Sequence, residues 1–337
     1  MKTILNQLFN QEDLTSEQAE HTMNAIMDGK ISSAEIGAFL GALRTKGETV
    51  AEIVGCARSL QNHAVPLKPQ RTDLLDTCGT GGDGANTFNI STTVSFVLAA
   101  SGVGLCKHGN RSISSKCGSA DVLEELGVPI DNDRAQAEKA IDRYGYSFLF
   151  APKFHPAMGQ VAQIRRQIGA RTIFNLLGPL VNPARTPFQV IGVYDSSKLT
   201  CFAEVLRNLG SKHVFLVTGD DGLDEITTTT TTQMVELKED IIRKSIFDPK
   251  DYGIKRATAE DLLGGDRKEN AAITEAILKG EMSGPKTDIV AVNAAAALIV
   301  TGKASDFSSG IKLAMKVISS GKAYEKLEQI RSSNRGV

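Results

Sequence analysis

The sequence has almost no net charge: 38 Lys and Arg stand against 39 Asp and Glu, a formal −1 at pH 7. No long basic run offsets that balance, which argues against a nucleic-acid or membrane-surface role. Cysteine is sparse. Cys56, Cys78, Cys106, Cys117 and Cys201 form no CxxC pair and no even-numbered framework. An odd, scattered set suits free thiols in a reducing cytoplasm. Long apolar runs are missing as well. Met1–Asn10 lacks the apolar core of a signal peptide, and no charge-free stretch reaches membrane-spanning length. What remains is an ordinary globular composition, 41% hydrophobic and 23% charged, over 337 residues. That length can bury a large core and hold two domains.

The most informative stretch runs from Asp76 to Ser119. It opens DTCGTGGDGANTFNIST and closes CKHGNRSISSKCGS. Leu74-Leu75 reads as a strand end, followed by Gly79, Gly81, Gly82 and Gly84. Such a loop can take positive φ and bring its backbone N–H groups close to a ligand. Asn89, Ser91 and Thr92 fall where a helix N-cap belongs, before the apolar run Val94–Ala100. A helix N-terminus with free N–H groups suits a phosphate. The closing half supplies the cation Lys107, the planar fork of Arg111, and the short polar groups Asn110, Ser112, Ser114 and Ser115. It reads as a polar loop between a strand at 103–106 and a helix at 120–126. Together the two halves predict a polyphosphate site. A flexible glycine linker would explain the glycines but not the clustered Lys, Asn and Ser.

Two common phosphate motifs fail. No Gly-Lys-Ser/Thr follows the glycines, which excludes a Walker loop. Gly79–Gly84 has G-x-G-x-x-G spacing, but Asp83 would meet the pyrophosphate and no acidic residue ends a second strand about 20 residues on.

Gly79-Thr-Gly-Gly-Asp83, Asn89-Ile-Ser-Thr92 and Lys107-His-Gly-Asn-Arg-Ser-Ile-Ser-Ser115 together resemble the signatures of the anthranilate phosphoribosyltransferase family, of the glycosyltransferase and nucleoside-phosphorylase superfamily. The resemblance covers nearly the whole chain, from the first helices to the last.

The chain in order predicts an α/β fold, with a small N-terminal helical domain and a larger α/β domain. In the larger domain a mixed, largely parallel central sheet is flanked by helices. Thr15-x-x-Gln18, Ser32-x-x-Glu35 and Thr49-x-x-Glu52 each read as a capping box. They start helices at about 16–28, 33–46 and 50–63, with room for another before them. The small domain spans 1–66, joined in space by helices from about 157–178, and the larger spans 72–337. Strand and helix then alternate, as a largely parallel sheet requires. Helices are expected at 134–144, 157–167, 169–177 and 198–209, with 151–156 a loop. Strands are expected at 146–150, 188–193 and 213–217, and antiparallel strands at 225–230, 234–237 and 245–247. The threonine run 227–232 favours strand by its β-branching.

Other groups carry open alternatives. Asp220-Asp221-Gly-Leu-Asp224-Glu225 follows a strand, where open α/β sheets place ligands. It reads either as a Mg²⁺ site of hard carboxylate oxygens or as a solvated acidic turn. Neighbouring carboxylates in one strand would diverge, so Asp224 and Glu225 must lie in a turn to share an ion. Val217–Asp221 resembles the ribose-binding motif of the other phosphoribosyltransferase class but lacks its Thr-Gly continuation. Arg165 could bind a carboxylate bidentately or be a surface charge, with Arg166 about 100° round the helix as its control. Cys78 reads as a buried small residue without a base nearby. His108 and His155 read as structural hydrogen-bonding groups, and no metal-ligand spacing or Ser-His-Asp arrangement appears.

The resemblance implies more. It implies transfer of phosphoribose from 5-phosphoribosyl 1-diphosphate to the amine of anthranilate, in tryptophan synthesis. Donor binding falls on Gly79, Gly82, Asp83, Thr87, Asn89, Ile90, Ser91 and Thr92, on Lys107, His108, Gly109, Asn110, Arg111 and Ser112, and on Ile113, Ser114, Ser115 and Ser119. Anthranilate falls to Gly79, Asn110 and Arg165. Magnesium, two ions per subunit, falls to Ser91, Asp224 and Glu225. No proton-transfer catalyst is implied; Lys107 and the metal site would stabilise the departing charge. The family's helical domain implies a homodimer and one wall of the acceptor site. Two rival readings remain: a pyrimidine nucleoside phosphorylase and a nucleic-acid-binding protein on the same fold. The Asp224-Glu225 pair and the near-zero net charge disfavour them in turn.

Overall fold

A computed structural model describes residues 1–112 and 116–333. Ile113, Ser114 and Ser115 lie outside them. The N-terminal part holds α1 (Lys2–Phe9), α2 (Ser16–Met27), α3 (Ser33–Lys46) and α4 (Val50–His63). Each of the three expected capping boxes forms with both halves in place, which is why α2, α3 and α4 start where they do. The remainder runs β1 (Leu74–Asp76), α5 (Ile90–Ala100), β2 (Gly104–Gly109), α6 (Ser119–Glu125), α7 (Arg134–Tyr144), β3 (Tyr146–Phe150) and α8 (Ala151–Phe154). Next come α9 (Gly159–Ile168), α10 (Phe174–Leu177), β4 (Phe188–Gly192), α11 (Leu199–Asn208), β5 (His213–Gly219), β6 (Thr232–Lys238) and β7 (Ile241–Phe247). The helices α12 (Arg267–Leu278), α13 (Pro285–Val300), α14 (Phe307–Ser319) and α15 (Lys322–Ser332) close the chain.

The seven strands order as β3-β2-β1-β4-β5-β6-β7. The first five are parallel, and β6 and β7 are antiparallel. Alternate residues feed opposite faces. Val190, Phe215 and Val217 join α5 and α12–α15, while Ile191, Val214 and Leu216 join α2–α4, α9 and α11. The second cluster runs on without a break into the N-terminal helices through Phe39, Leu43, Val161 and Phe174. The strand order reverses between β1 and β4, so ligands are expected beyond the carboxyl ends of those two strands.

Four expectations need correction. β2 extends to Gly109, so Lys107 and His108 are strand residues, not loop residues. They pair with Phe148 and Leu149 of β3, and burial by those neighbours holds the polar pair in the sheet. The segment 151–156 is not all loop, because α8 starts with a proline in its first turn. The helix expected at 169–177 shrinks to α10: Gly169 takes φ +63 as the cap of α9, and Asn175 Oδ1 accepts from the Thr172 N–H at 3.0 Å. The strand expected at 225–230 does not form. There the threonine hydroxyls bind carboxylates instead of leaving the backbone to a ladder: Thr227 Oγ1 donates to Asp221 Oδ2 at 2.8 Å, Thr229 donates to Asp221, and Thr231 to Asp220.

That turn is clamped from α13. Asn293 Oδ1 accepts from the Ile226 N–H at 2.9 Å, and its Nδ2 donates to the Ile226 carbonyl at 2.9 Å. Asn293 is buried, so truncation strands two backbone groups away from water. Asn293→Ala is expected to lower unfolding free energy by roughly 2–4 kcal/mol, read as a fall in urea midpoint.

Candidate active site

The glycine loop leaves β1 and crosses the end of β4. The Thr80 N–H donates to the Gly192 carbonyl at 2.8 Å, and the Tyr194 N–H returns a bond to Thr80 Oγ1 at 3.1 Å. Gly81 N–H donates to Asp224 Oδ2 at 2.8 Å, which joins the loop to the acidic turn after β5. The close approach demands glycine at 192 and leaves little room for a side chain at 79. A Cβ on Gly192 would lie 1.5 Å from the Asp224 carbonyl oxygen, and one on Gly79 would lie 2.9 Å from Asp224 Oδ2. Thr87 bridges to Leu263 at the loop's far end.

Asn89 occupies the N-cap position of α5, but its side chain caps nothing. Its amide instead ties three segments: Nδ2 donates to the Cys117 carbonyl at 3.2 Å, and Oδ1 accepts from Asn270 Nδ2 at 3.0 Å. In the first turn of α5 the Ile90 N–H is taken by the Phe88 carbonyl at 2.7 Å, whereas the Ser91 amide reaches Glu225 and the Ser91 hydroxyl accepts from Lys107.

Lys107 is only 2% exposed and lies between these parts. Its Nζ donates to the Thr77 carbonyl at 3.0 Å, to Thr77 Oγ1 at 3.2 Å and to Ser91 Oγ at 3.3 Å. Below it, Asp76 is fully buried. Burial pushes its carboxyl up to about 6, against the Lys107 charge and hydrogen bonds from Asn182 Nδ2 at 2.7 Å and the His108 N–H at 3.1 Å.

Asp224, Glu225 and Asp83 face one another. Burial first, and then mutual repulsion, raises Asp224 and Glu225 well above the ordinary carboxylate range. Lys107 and the Ser91 amide partly relieve Glu225. Crowded carboxylates beside a serine hydroxyl form a hard oxygen set that suits Mg²⁺ and is relieved by it. The other acidic pair, Asp220 and Asp221, is taken up by Thr227, Thr229, Thr231 and Gln233.

The second polar loop is less open than its composition suggests. The Asn110 carbonyl accepts from the Ala120 N–H and from Ser119 Oγ, both at 3.2 Å. Arg111 pairs with Asp121 and Glu124 at 3.0 Å. Asp121 Oδ2 accepts from the N–H groups of Ser112 at 3.1 Å and Gly118 at 2.9 Å.

Arg165 lies on α9 with its guanidinium 5.3 Å from the Phe174 ring centroid. It is half-buried, and burial lowers its pKa. No carboxylate pairs with it among the described residues, whereas Arg166 is exposed. Cys78 does have titratable neighbours, contrary to the sequence reading: Asp76 and His108 offer ligand atoms within 4.8 Å of it and of each other. Burial still pushes its thiol up, and the adjacent Lys107 ammonium opposes a cation there.

Arg171 and Tyr194 were not expected. Arg171 Nη2 donates to the Gly82 carbonyl at 2.6 Å, and its guanidinium stacks 3.7 Å from the Tyr194 ring centroid. The only signal in the sequence was an arginine just beyond Gly169, in a stretch that reads as helix.

Known proteins resemble the chain over nearly its whole length. Residues 2–64 match the helical bundle domain of a glycosyl transferase family, and residues 71–324 match its a/b domain. The anthranilate phosphoribosyltransferase of Clostridium kluyveri is 50% identical over 330 residues, covering 98% of each chain. That of Desulfosudis oleivorans is 47% identical, over 97% of this chain and 96% of its own. The crystal structure of the Thermus thermophilus enzyme superposes with a TM-score of 0.94 at 41% identity, covering 99% of both chains. The Saccharomyces cerevisiae enzyme in complex with PRPP and Mg gives 0.91 at 27% identity, covering 99% and 98%. The chain belongs to this glycosyl transferase family and, within it, to the anthranilate phosphoribosyltransferases.

His108 and His155 face each other with ring centroids 5.1 Å apart, and neither Nε2 has a partner among the described residues. Burial lowers them to about 3 and about 4. Both stay neutral in the folded chain while the unfolded chain protonates below its ordinary histidine value, so their contribution is present above that value and lost as pH falls. Against His155→Gln, the native protein is expected to lose about 1.4 kcal/mol of relative stability per pH unit between about pH 6.5 and 4, from urea midpoints across that range.

Proposed function

We propose that the chain transfers the phosphoribosyl group of 5-phosphoribosyl 1-diphosphate to the amine of anthranilate in tryptophan synthesis, releasing diphosphate. The observation that carries this reading is the convergence at the ends of β1, β2 and β5. There Lys107, the first turn of α5 and the Asp224-Glu225 turn surround one glycine loop. The close relatives named above support it.

In this reading Gly79, Gly82, Asp83, Thr87 and residues 89–92 hold the donor, and the 107–115 segment with Ser119 completes its cradle. The amides of α5 and the Lys107 ammonium stabilise charge as it builds on the departing diphosphate. Ser91, Asp224 and Glu225 would hold Mg²⁺, two ions per subunit; once bound, the metal neutralises diphosphate oxygens as a Lewis acid. Gly79, Asn110 and Arg165 hold anthranilate, Arg165 by its carboxylate. An aniline amine is already neutral at pH 7, so positioning matters more than a general base. The neutral state of His108 and His155 accords with hydrogen-bonding roles.

We further propose a cytoplasmic homodimer of two-domain subunits. Residues 1–66 with the helices of 157–178 would form one unit and 72–337 the other. The absence of a disulfide among the described residues and the 59% exposed Phe9 on α1 support the compartment and an apolar interface.

The test follows anthranilate fluorescence with 5-phosphoribosyl 1-diphosphate, with and without Mg²⁺. A magnesium-dependent fall is expected; no fall in folded protein would overturn the acceptor assignment. Asp224→Asn with Glu225→Gln should cut turnover by about 100-fold or more while leaving the urea midpoint close to native. Near-normal magnesium-dependent rates in that variant would sink the metal assignment. Arg165→Ala should raise KM for anthranilate about ten-fold and spare the donor, with Arg166→Ala changing neither by more than about two-fold. Equal effects of the two would count against Arg165.

A further inference from the structure

We propose that Arg171 is a positioning residue for the donor, acting as a latch that holds the glycine loop in its binding shape. The inference rests on the reading that this loop binds the donor. Gly82 lies near the outer turn of the loop with φ +83, and its carbonyl accepts from Arg171 Nη2 at 2.6 Å. A Cβ at that position would lie 2.7 Å from the same nitrogen, so the absence of a side chain on Gly82 lets the guanidinium in. On its other side the guanidinium lies against Tyr194, 3.7 Å from the ring centroid.

The attachment has two points. Thr80 fastens the near side of the loop to the end of β4, by bonds to the Gly192 carbonyl and from the Tyr194 N–H. Arg171 fastens the outer side, and it uses Tyr194 again, this time the ring. Between the two points lies Gly81, whose N–H meets Asp224. A loop released at Gly82 would therefore loosen the contact between the glycines and the acidic turn. No carboxylate pairs with Arg171 among the described residues, and one N–H of its five is accounted for by Gly82. The positive charge thus remains available beside the loop that is to receive a polyphosphate.

Arginine suits this position better than lysine. Its planar group can stack on a ring and direct an N–H at a carbonyl together, whereas an ammonium does one or the other. Arg171 also stands six residues after Arg165, just beyond the Gly169 cap of α9. One short segment therefore carries both Arg165, proposed for the acceptor, and the fastening of the donor loop.

The experiment measures KM for both substrates and amide exchange of residues 79–84 in the ligand-free protein. Variants are Arg171→Ala, Arg171→Lys, Tyr194→Phe and Tyr194→Leu. Arg171→Ala should raise donor KM about ten-fold, from loss of one charged hydrogen bond, and leave KM for the acceptor within about two-fold. Amide exchange in the loop should quicken. Tyr194→Phe should match the native protein, Tyr194→Leu should follow Arg171→Ala, and Arg171→Lys should restore part of the loss. An unchanged donor KM with unchanged exchange would overturn the proposal, as would a rise confined to the acceptor KM. If the native protein turns over nothing, the donor reading fails by itself. The exchange rates then still decide whether Arg171 holds the loop.

Discussion

A lysine ammonium held away from water is the constraint that organises this molecule. Lys107 sits on a strand paired on both sides, so its position is set by the sheet and not by a mobile loop. Its charge must be met locally. Thr77 and Ser91 supply oxygens, Asp76 a buried countercharge, and Glu225 lies within its field. The start of α5, the end of β1 and the turn after β5 are thereby brought to one point. Each element is placed by its own packing, but the ammonium gives their meeting an electrostatic reason.

The helical region takes part in the same assembly. Its apolar residues share a cluster with α9, α10 and α11 and with one face of β4, β5 and β6. α9 packs its Val161 and Ile164 into that cluster and turns Arg165 towards Phe174. Arg165 is thus mounted on the helices, whereas Lys107 and the acidic turn are mounted on strands and strand ends.

Where local chemistry alone decides the structure, the sequence is readable. The capping boxes placed three helices closely, and Gly169 at positive φ ended α9 near the expected residue. Reading failed where distant partners decide. Lys107 and His108 look like loop residues until β3 covers them. The threonine run looks like strand until Asp220 and Asp221 recruit its hydroxyls. Arg111 looks like an open cationic fork in the sequence, and in the folded chain Asp121 and Glu124 already hold it. Arg171 gave almost no local signal, because its partners lie 89 residues upstream at Gly82 and, in sequence, beyond β4 at Tyr194.

Gly192 shows how closely the acidic turn rests on the sheet. The main chain of Asp224 passes where a side chain at 192 would begin, and Asn293 holds Ile226 by two hydrogen bonds. The two carboxylates therefore cannot retreat from each other by a rearrangement of the turn; only their rotamers are free. Geometry of that kind resides in main-chain spacing. A side chain added at 192 would therefore displace the acidic turn itself.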